Sequence, residues 1–160
     1  MAARLLGERC GQPTARILSD IPHATFAALA HALPDNLRRR AQHYFEEVAR
    51  VQAGIAAWQT GDVAQFGRLM LASCESSIHN YECGSAPVQT LQQIVAATPG
   101  CLGARFSGGG FGGGVVAFFA ARQAEAACEA IFDTYCAAQP EMREHARVFL
   151  VASADGVRCA

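Results

Sequence analysis

The stretch ARFSGGGFGGGVVAFF, residues 104–119, sets six of the chain's fifteen glycines between two apolar runs. Glycine loses more backbone freedom on folding than any other residue, so a cluster of it serves positive φ angles or a close backbone approach. Ala104–Phe106 reads as a short strand and Val115–Ala120 as a buried one, which makes the glycines a loop between strands. Downstream, residues 123–137 return to helical spacing through Cys128, Ile131, Phe132 and Tyr135. Val148–Ala152 reads as a strand, and Ala154-Asp155-Gly156 as a hairpin signal leading to Val157–Cys159.

Upstream the pattern is helical. A long helix is expected from about Asn36 to Gln59, with Leu37, Ala41, Tyr44, Val48, Val51, Ile55 and Trp58 as its apolar stripe. Asp35 suits its N-cap, and Thr60-Gly61 its end. Asp62 with Gln65 forms a capping box for a second helix carrying Val63, Phe66, Leu69 and Met70, so the two should pack as an antiparallel hairpin. A third helix, about Pro87 to Ala97, presents Val88, Leu91, Ile94 and Val95. Residues 1–33 are poorly periodic and are read as a short-helical or irregular lead-in to a domain spanning 34–160. Helices gathered before a strand–strand–helix–strand–strand unit imply an α+β fold with an antiparallel sheet covered by helices on one face.

Bulk properties narrow the function. The 160 residues suit one domain, and a net charge of -1 gives no general attraction to nucleic acid or an anionic membrane. Arg38-Arg39-Arg40, followed by Glu46 and Glu47, is read as a solvated or interdomain helix face. The opening MAARLLGERC lacks the apolar core of a signal peptide and no run approaches a membrane span, so a cytoplasmic protein is expected. Seven cysteines, widely spaced and without C-x-x-C, argue against a disulfide framework or a zinc ribbon. Glu75, His79 and Cys83 make an incomplete ligand set, and no metal site is expected there.

Three motifs compete for the glycine loop. Gly108, Gly110 and Gly113 fit G-x-G-x-x-G, but a dinucleotide fingerprint needs a helix straight after it, and Val-Val-Ala-Phe-Phe follows instead. Adding Val115 gives the lid of protein kinases, whose next strand must supply a lysine. All thirteen basic residues here are arginine, which removes that reading and the Walker A loop with it.

The third reading rests on the whole segment. Gly103-Ala104-Arg105-Phe106-Ser107-Gly108-Gly109-Gly110-Phe111-Gly112-Gly113, before an apolar strand, resembles the third motif of the GHMP small-molecule kinases. Arg39-Arg40-Ala41-Gln42-His43 with Glu47 is similar to the R-R-A-R-H helix of the galactokinases in that family. Gly61-Asp62 with Phe66-Gly67-Arg68-Leu69-Met70 resembles their G-D-x-x-x-F-G-x-L-M stretch. Glu75-Ser76-Ser77-Ile78-His79-Asn80-Tyr81-Glu82-Cys83-Gly84-Ser85 departs from the usual Y-E-V-S-x-P-E-L and looks more like galacturonokinase- and arabinokinase-like members. Gly114 stands where galactokinases usually have cysteine.

The resemblance covers roughly residue 30 to the end and implies the C-terminal domain, with its ferredoxin-like, four-stranded antiparallel sheet. It implies a parent reaction in which ATP and Mg2+ serve phosphorylation of the anomeric hydroxyl of galactose, arabinose or galacturonate. It also puts Ser107, Gly108, Gly109, Gly110, Phe111, Gly112 and Gly113 beside the nucleotide phosphates, with Arg105, Tyr81 and Glu82 as candidate cleft contacts. Arg105 could instead cover a sheet edge, and Glu82 could instead cap a helix or form a structural ion pair. No catalytic residue is assigned, because the G-L-S-S-S-A-type phosphate loop and the aspartate acting on the sugar belong to the family's N-terminal half. The expected partner is therefore that half, or a second copy through the face it would cover, and the chain is expected to be inactive alone. The alternative is a stand-alone module that binds a small metabolite or a protein without catalysis.

Overall fold

The computed structural model describes residues 1–152. Six helices and two strands follow in order: α1 (Ala2–Arg9), α2 (His23–Leu29), α3 (Asp35–Gln59), α4 (Val63–His79), α5 (Ala86–Ala97), β1 (Cys101–Ser107), β2 (Gly114–Phe119) and α6 (Ala124–Ala138). The fold is α+β, and the strands pair antiparallel with Phe106 opposite Val115 and Arg105 opposite Val116.

α3 begins one residue earlier than its spacing suggests. Pro34 is the N-cap, and Asp35 sits in the first turn, where its carboxylate meets Arg38 and Arg39 rather than a backbone amide. The start of α4 follows half of the local signal: the Asp62 carboxylate accepts the Gln65 amide at 2.9 Å, but the Gln65 side chain accepts from Arg68 instead of closing a capping box. Gly61, at φ 73°, makes the turn between α3 and α4, and the helices pack as the expected hairpin.

The stripe assigned to α3 is corrected by the packing. Ala41 is buried, but the other buried positions are Phe45, Gly54 and Ala57, while Val48, Val51, Ile55 and Trp58 are about half exposed. Leu37 and Tyr44 pack on the first core, and the hairpin closes through small residues and a polar seam, which leaves Val48, Val51 and Ile55 half exposed while Trp58 reaches the Phe66 ring of α4. Along that seam Ser73 donates to Glu47 at 2.8 Å, the His43 ring lies 3.0 Å from Ser76 Oγ, and Arg39 donates to the His79 carbonyl at 3.0 Å. Steps of four on α3 against three on α4 keep one face of each helix in register.

Two bodies of core result. Leu6, Ala15, Ile21, Phe26 and Leu33 from residues 1–33 pack on Ala41 and Phe45, with the Phe26 and Phe45 rings stacked at 4.6 Å. The second core lies against the sheet, where Ala104 and the alternating β2 residues Val115, Ala117 and Phe119 meet Val95 of α5 with Ala127 and Ile131 of α6. The expectation of a buried β2 is corrected: that face is only partly buried against the core. Val116 is exposed on the other, where Phe118 meets Phe66 and Trp58.

The sheet of the described residues has two strands rather than four. Val148–Ala152 forms no ladder, and Phe149 and Val151 are largely exposed. A strand needs a partner to satisfy its backbone, and the one expected for it, Val157–Cys159 beyond the Ala154–Gly156 turn, falls outside the described residues. None of the described helices is long and apolar enough to cross a membrane.

Candidate functional site

The glycine loop joins β1 to β2 and turns on positive φ at Gly108 (88°), Gly110 (78°) and Gly113 (87°). Its upper side is open. Phe111 at the tip is 75% exposed, and Ser107, Gly108, Gly109, Gly112 and Gly113 are exposed around it. Among the described residues, no amide of Gly108–Gly113 donates to another protein group outside the β1–β2 ladder. Such a run of free N–H donors, without side chains in front of them, is the kind of concavity that takes an anion.

The lower side answers why glycine is needed there. Gly110 is buried, and a Cβ on it would come within 2.9 Å of the Gly84 Cα and 2.8 Å of the Phe106 ring. Gly84, at φ 104°, is under the same constraint, since its Cβ would meet that ring at 2.8 Å. The Ser85 amide donates to the Gly110 carbonyl at 2.6 Å. What approaches the loop is thus the backbone of the segment between α4 and α5, with the Phe106 side chain wedged beneath both. Gly84 and Ser85 stood in the sequence only as the end of a motif and not as contacts of the loop; two glycines distant along the chain carry no local signal that they meet.

That segment also holds Tyr81 and Glu82. The Glu82 carboxylate accepts from Arg39 at 2.7 Å and from Arg40 at 3.0 Å. Of the two structural roles open to it in sequence, a helix cap and an ion pair, the ion pair is the one formed, beside its candidate role as a cleft contact. The Arg39 hydrogen bond, with Arg40 behind it, holds the Glu82 carboxyl below its ordinary range. Tyr81 is exposed, its ring 5.0 Å from that of His43. Burial pushes the His43 imidazole below its ordinary value; the charges around it are Glu47 and Glu46, which favour protonation, and Arg50 and Arg105, which oppose it.

Arg105 lies on β1 two residues before the loop. No carboxylate among the described residues pairs with it. Its charge is felt at Cys74 and Cys83, whose thiols are nonetheless pushed up by burial, so neither is an activated nucleophile. The structure therefore brings the loop, Arg105 and the Tyr81–Ser85 segment to one end of the sheet.

Nothing at this end suits a divalent cation by itself. The described residues hold no group of three or more His, Cys, Asp or Glu able to bind a metal, and His79 and Glu75 form an exposed pair at 3.1 Å. An apolar groove of about 410 Å³ lies elsewhere, against residues 1–19 and the first turns of α3, lined by Ile17, Leu37 and Tyr44 among others.

Comparison with known proteins bears on the family. Residues 51–137 match the family model of GHMP kinases C terminal. The chain is 48% identical to a galacturonokinase of Arabidopsis thaliana over 78% of its length and 29% of that protein's. It is 37% identical to a galactokinase of Chloroflexus aurantiacus over 84% of its length and 34% of that protein's. It superposes on the crystal structure of Lactococcus lactis galactokinase complexed with galactose with a TM-score of 0.73 and 27% identity, covering 87% of this chain and 37% of that one. The chain thus spans about a third of the length of these relatives.

Proposed function

The chain belongs to the GHMP kinase C-terminal family, and from that premise we propose that it is the C-terminal domain of a galactokinase-like sugar kinase. The reaction in which it takes part is transfer of the γ-phosphoryl group of Mg-ATP to the anomeric hydroxyl of galactose, arabinose or galacturonate. The observation that carries this reading is the strand–loop–strand unit whose glycine amides are unspent on one side and seated on Gly84 on the other. Phosphoryl transfer depends on positioning and on charge stabilisation, so a loop that offers N–H donors to a phosphate contributes without a catalytic side chain.

In this reading Gly108–Gly113 cover the nucleotide phosphates, Arg105 adds positive charge behind them, and Tyr81 borders the sugar side. Mg2+ bound with the nucleotide would offset its phosphate charge, and the described residues hold no group of three or more His, Cys, Asp or Glu to ligate it. The reading also includes Val148–Ala152 joining the sheet of the parent enzyme, and work in the cytoplasm, where ATP is at hand.

The chain alone is catalytically silent in this proposal, and the catalytic half is its partner. The half-exposed row Val48, Val51, Ile55 and Trp58 supports that reading, because a module evolved to stand alone would have made such a face polar.

The test is titration of Mg-ATP into the isotopically labelled chain, following the amides of Gly108–Gly113. Saturable shifts confined to the loop and Arg105 are expected, and restored sugar phosphorylation when an N-terminal half is supplied. No loop shifts at millimolar ATP, together with no activity in the reassembled enzyme, would overturn the reading in favour of the non-catalytic module.

A further inference from the structure

The segment between α4 and α5 is short, yet it is tied down at every residue. The Cys83 amide donates to the Ser77 carbonyl at 3.0 Å, Gly84 rests on Phe106, and the Ser85 amide holds the Gly110 carbonyl while Ser85 begins α5. Glu82 stands at the head of these contacts with φ at 63°, the one positive-φ residue other than glycine among those described. A long side chain in the left-handed region persists only when its surroundings hold it there. What holds Glu82 is remote in sequence. Arg39 and Arg40, in the second turn of α3, grip its two carboxylate oxygens, one guanidinium on each. Arg39 spends its other amine on the His79 carbonyl at the end of α4, so a single side chain joins the last turn of α4 to the residue that turns the chain.

We propose that Glu82, clamped by Arg39 and Arg40, is a positioning residue for the glycine loop, acting through Gly84 and Ser85 to fix where Gly110 lies. The path is short and wholly backbone after the clamp. Gly84, whose Cα a side chain on Gly110 would strike, lies two positions after Glu82, and Ser85, whose amide donates to the Gly110 carbonyl, lies three. If the clamp opens, Glu82 relaxes to ordinary negative φ, which redirects the chain at Cys83 and withdraws the seat from under the loop. The open side of the loop then loses the arrangement that aims its amides together. The clamp is exposed, so it can loosen without unfolding the core beneath it. Its importance for phosphate recognition rests on the kinase reading above; its hold on the loop does not.

Hydrogen exchange of the labelled chain without ligand tests the clamp. Glu82→Gln removes the charge, Glu82→Ala removes the clamp and keeps the unfavourable φ, and Arg39→Lys keeps the charge but not the fork that spans His79 and Glu82. In all three, exchange of the Ser85 amide should quicken by about fivefold, the weakening expected when a hydrogen bond loses its support. The amide shifts of Gly108–Gly113 should move with it, while Phe106 and Val115 in the β1–β2 ladder keep their protection. The double variant Arg39→Lys with Glu82→Gln should loosen the segment by less than the two single effects combined, because both lose the Arg39–Glu82 contact. If any of these unfolds, Arg40→Gln, which takes away one exposed hydrogen bond, carries the same measurement. Ser85 exchange within twofold of the wild type in Glu82→Gln and Glu82→Ala, or additive effects in the double variant, would overturn the proposal and leave a surface ion pair. Because ATP is absent, failure here is distinct from failure of the kinase reading, which shows as an intact loop that ignores the nucleotide.

Discussion

Gly67 of α4 and Gly103 of β1 meet backbone to backbone. A Cβ on Gly103 would come within 2.7 Å of the Gly67 carbonyl carbon, and one on Gly67 would overlap the Leu102 carbonyl. Neither glycine needs a positive φ; both are required by proximity alone. Gly103 also faces Phe118 across the ladder, so this contact sets how α4 lies on the sheet. Gly67→Ala and Gly103→Ala should each destabilise the chain by about 2–3 kcal/mol, since backbone cannot yield as a side-chain end can. Gly54, also buried, offers the contrast: its Cβ would rest 3.5 Å from the Phe66 ring. Removing a glycine from the middle of α3 should then be neutral or stabilise by up to about 1 kcal/mol. Urea midpoints of the three variants decide the matter, and equal effects would contradict it.

Within the loop, position rather than glycine content should rule. Gly110→Ala combines left-handed strain with collision against Gly84 and Phe106, and should cost about 3 kcal/mol. Gly108→Ala meets nothing within 4 Å and should cost about 1 kcal/mol, the strain alone. Thermal unfolding of both variants checks the order.

The polar seam should make stability fall on mild acidification. His43 is held below its ordinary value of 6.5 by burial, so the unfolded chain binds a proton before the folded one does. Its contribution is complete above about pH 6.5 and is lost as pH falls through the lowered folded value. Glu82 and Asp35, lowered chiefly by their arginine partners, follow the same sign further down, below their ordinary values of 4.5 and 3.8. His43→Gln should flatten the urea midpoint between about pH 5 and 7 and leave the more acidic limb unchanged. A slope as steep in the variant as in the wild type would assign it to another group.

The exposed row on α3 should matter for association and not for folding. Val51→Ser with Ile55→Gln should hold the urea midpoint to within about 0.5 kcal/mol of stability, as surface changes do. The same variant should weaken self-association, or capture of a supplied N-terminal half, in sedimentation. A large loss of stability would mean that the row is internal support rather than an interface.

Much of this was legible along the chain. The Asp62 cap, the Thr60-Gly61 turn and the apolar runs on either side of the glycines are local signals, and α3, α4, β1 and β2 stand where those signals put them. The face of α3 was not legible. A stripe of bulky residues looks like a core, but Gly54 and Ala57 let α4 come closer than bulk would, and Glu47, His43 and Arg39 bond across the gap. Asp35 likewise looked like a cap and became an ion-pair partner, because Pro34 already supplied the extended residue before the helix.

The candidate site divides in the same way. Composition along residues 104–119 determined that a loop of free-turning backbone would sit between two strands, since glycine and β-branched residues act on their own neighbourhood. Tertiary structure alone decided what that loop rests on. Gly84 and Gly110 are brought together by the packing of α4, α5 and β1, and Glu82 finds Arg39 across 43 residues of chain. Contacts of that range depend on how whole elements pack, and no local pattern of residue types encodes them.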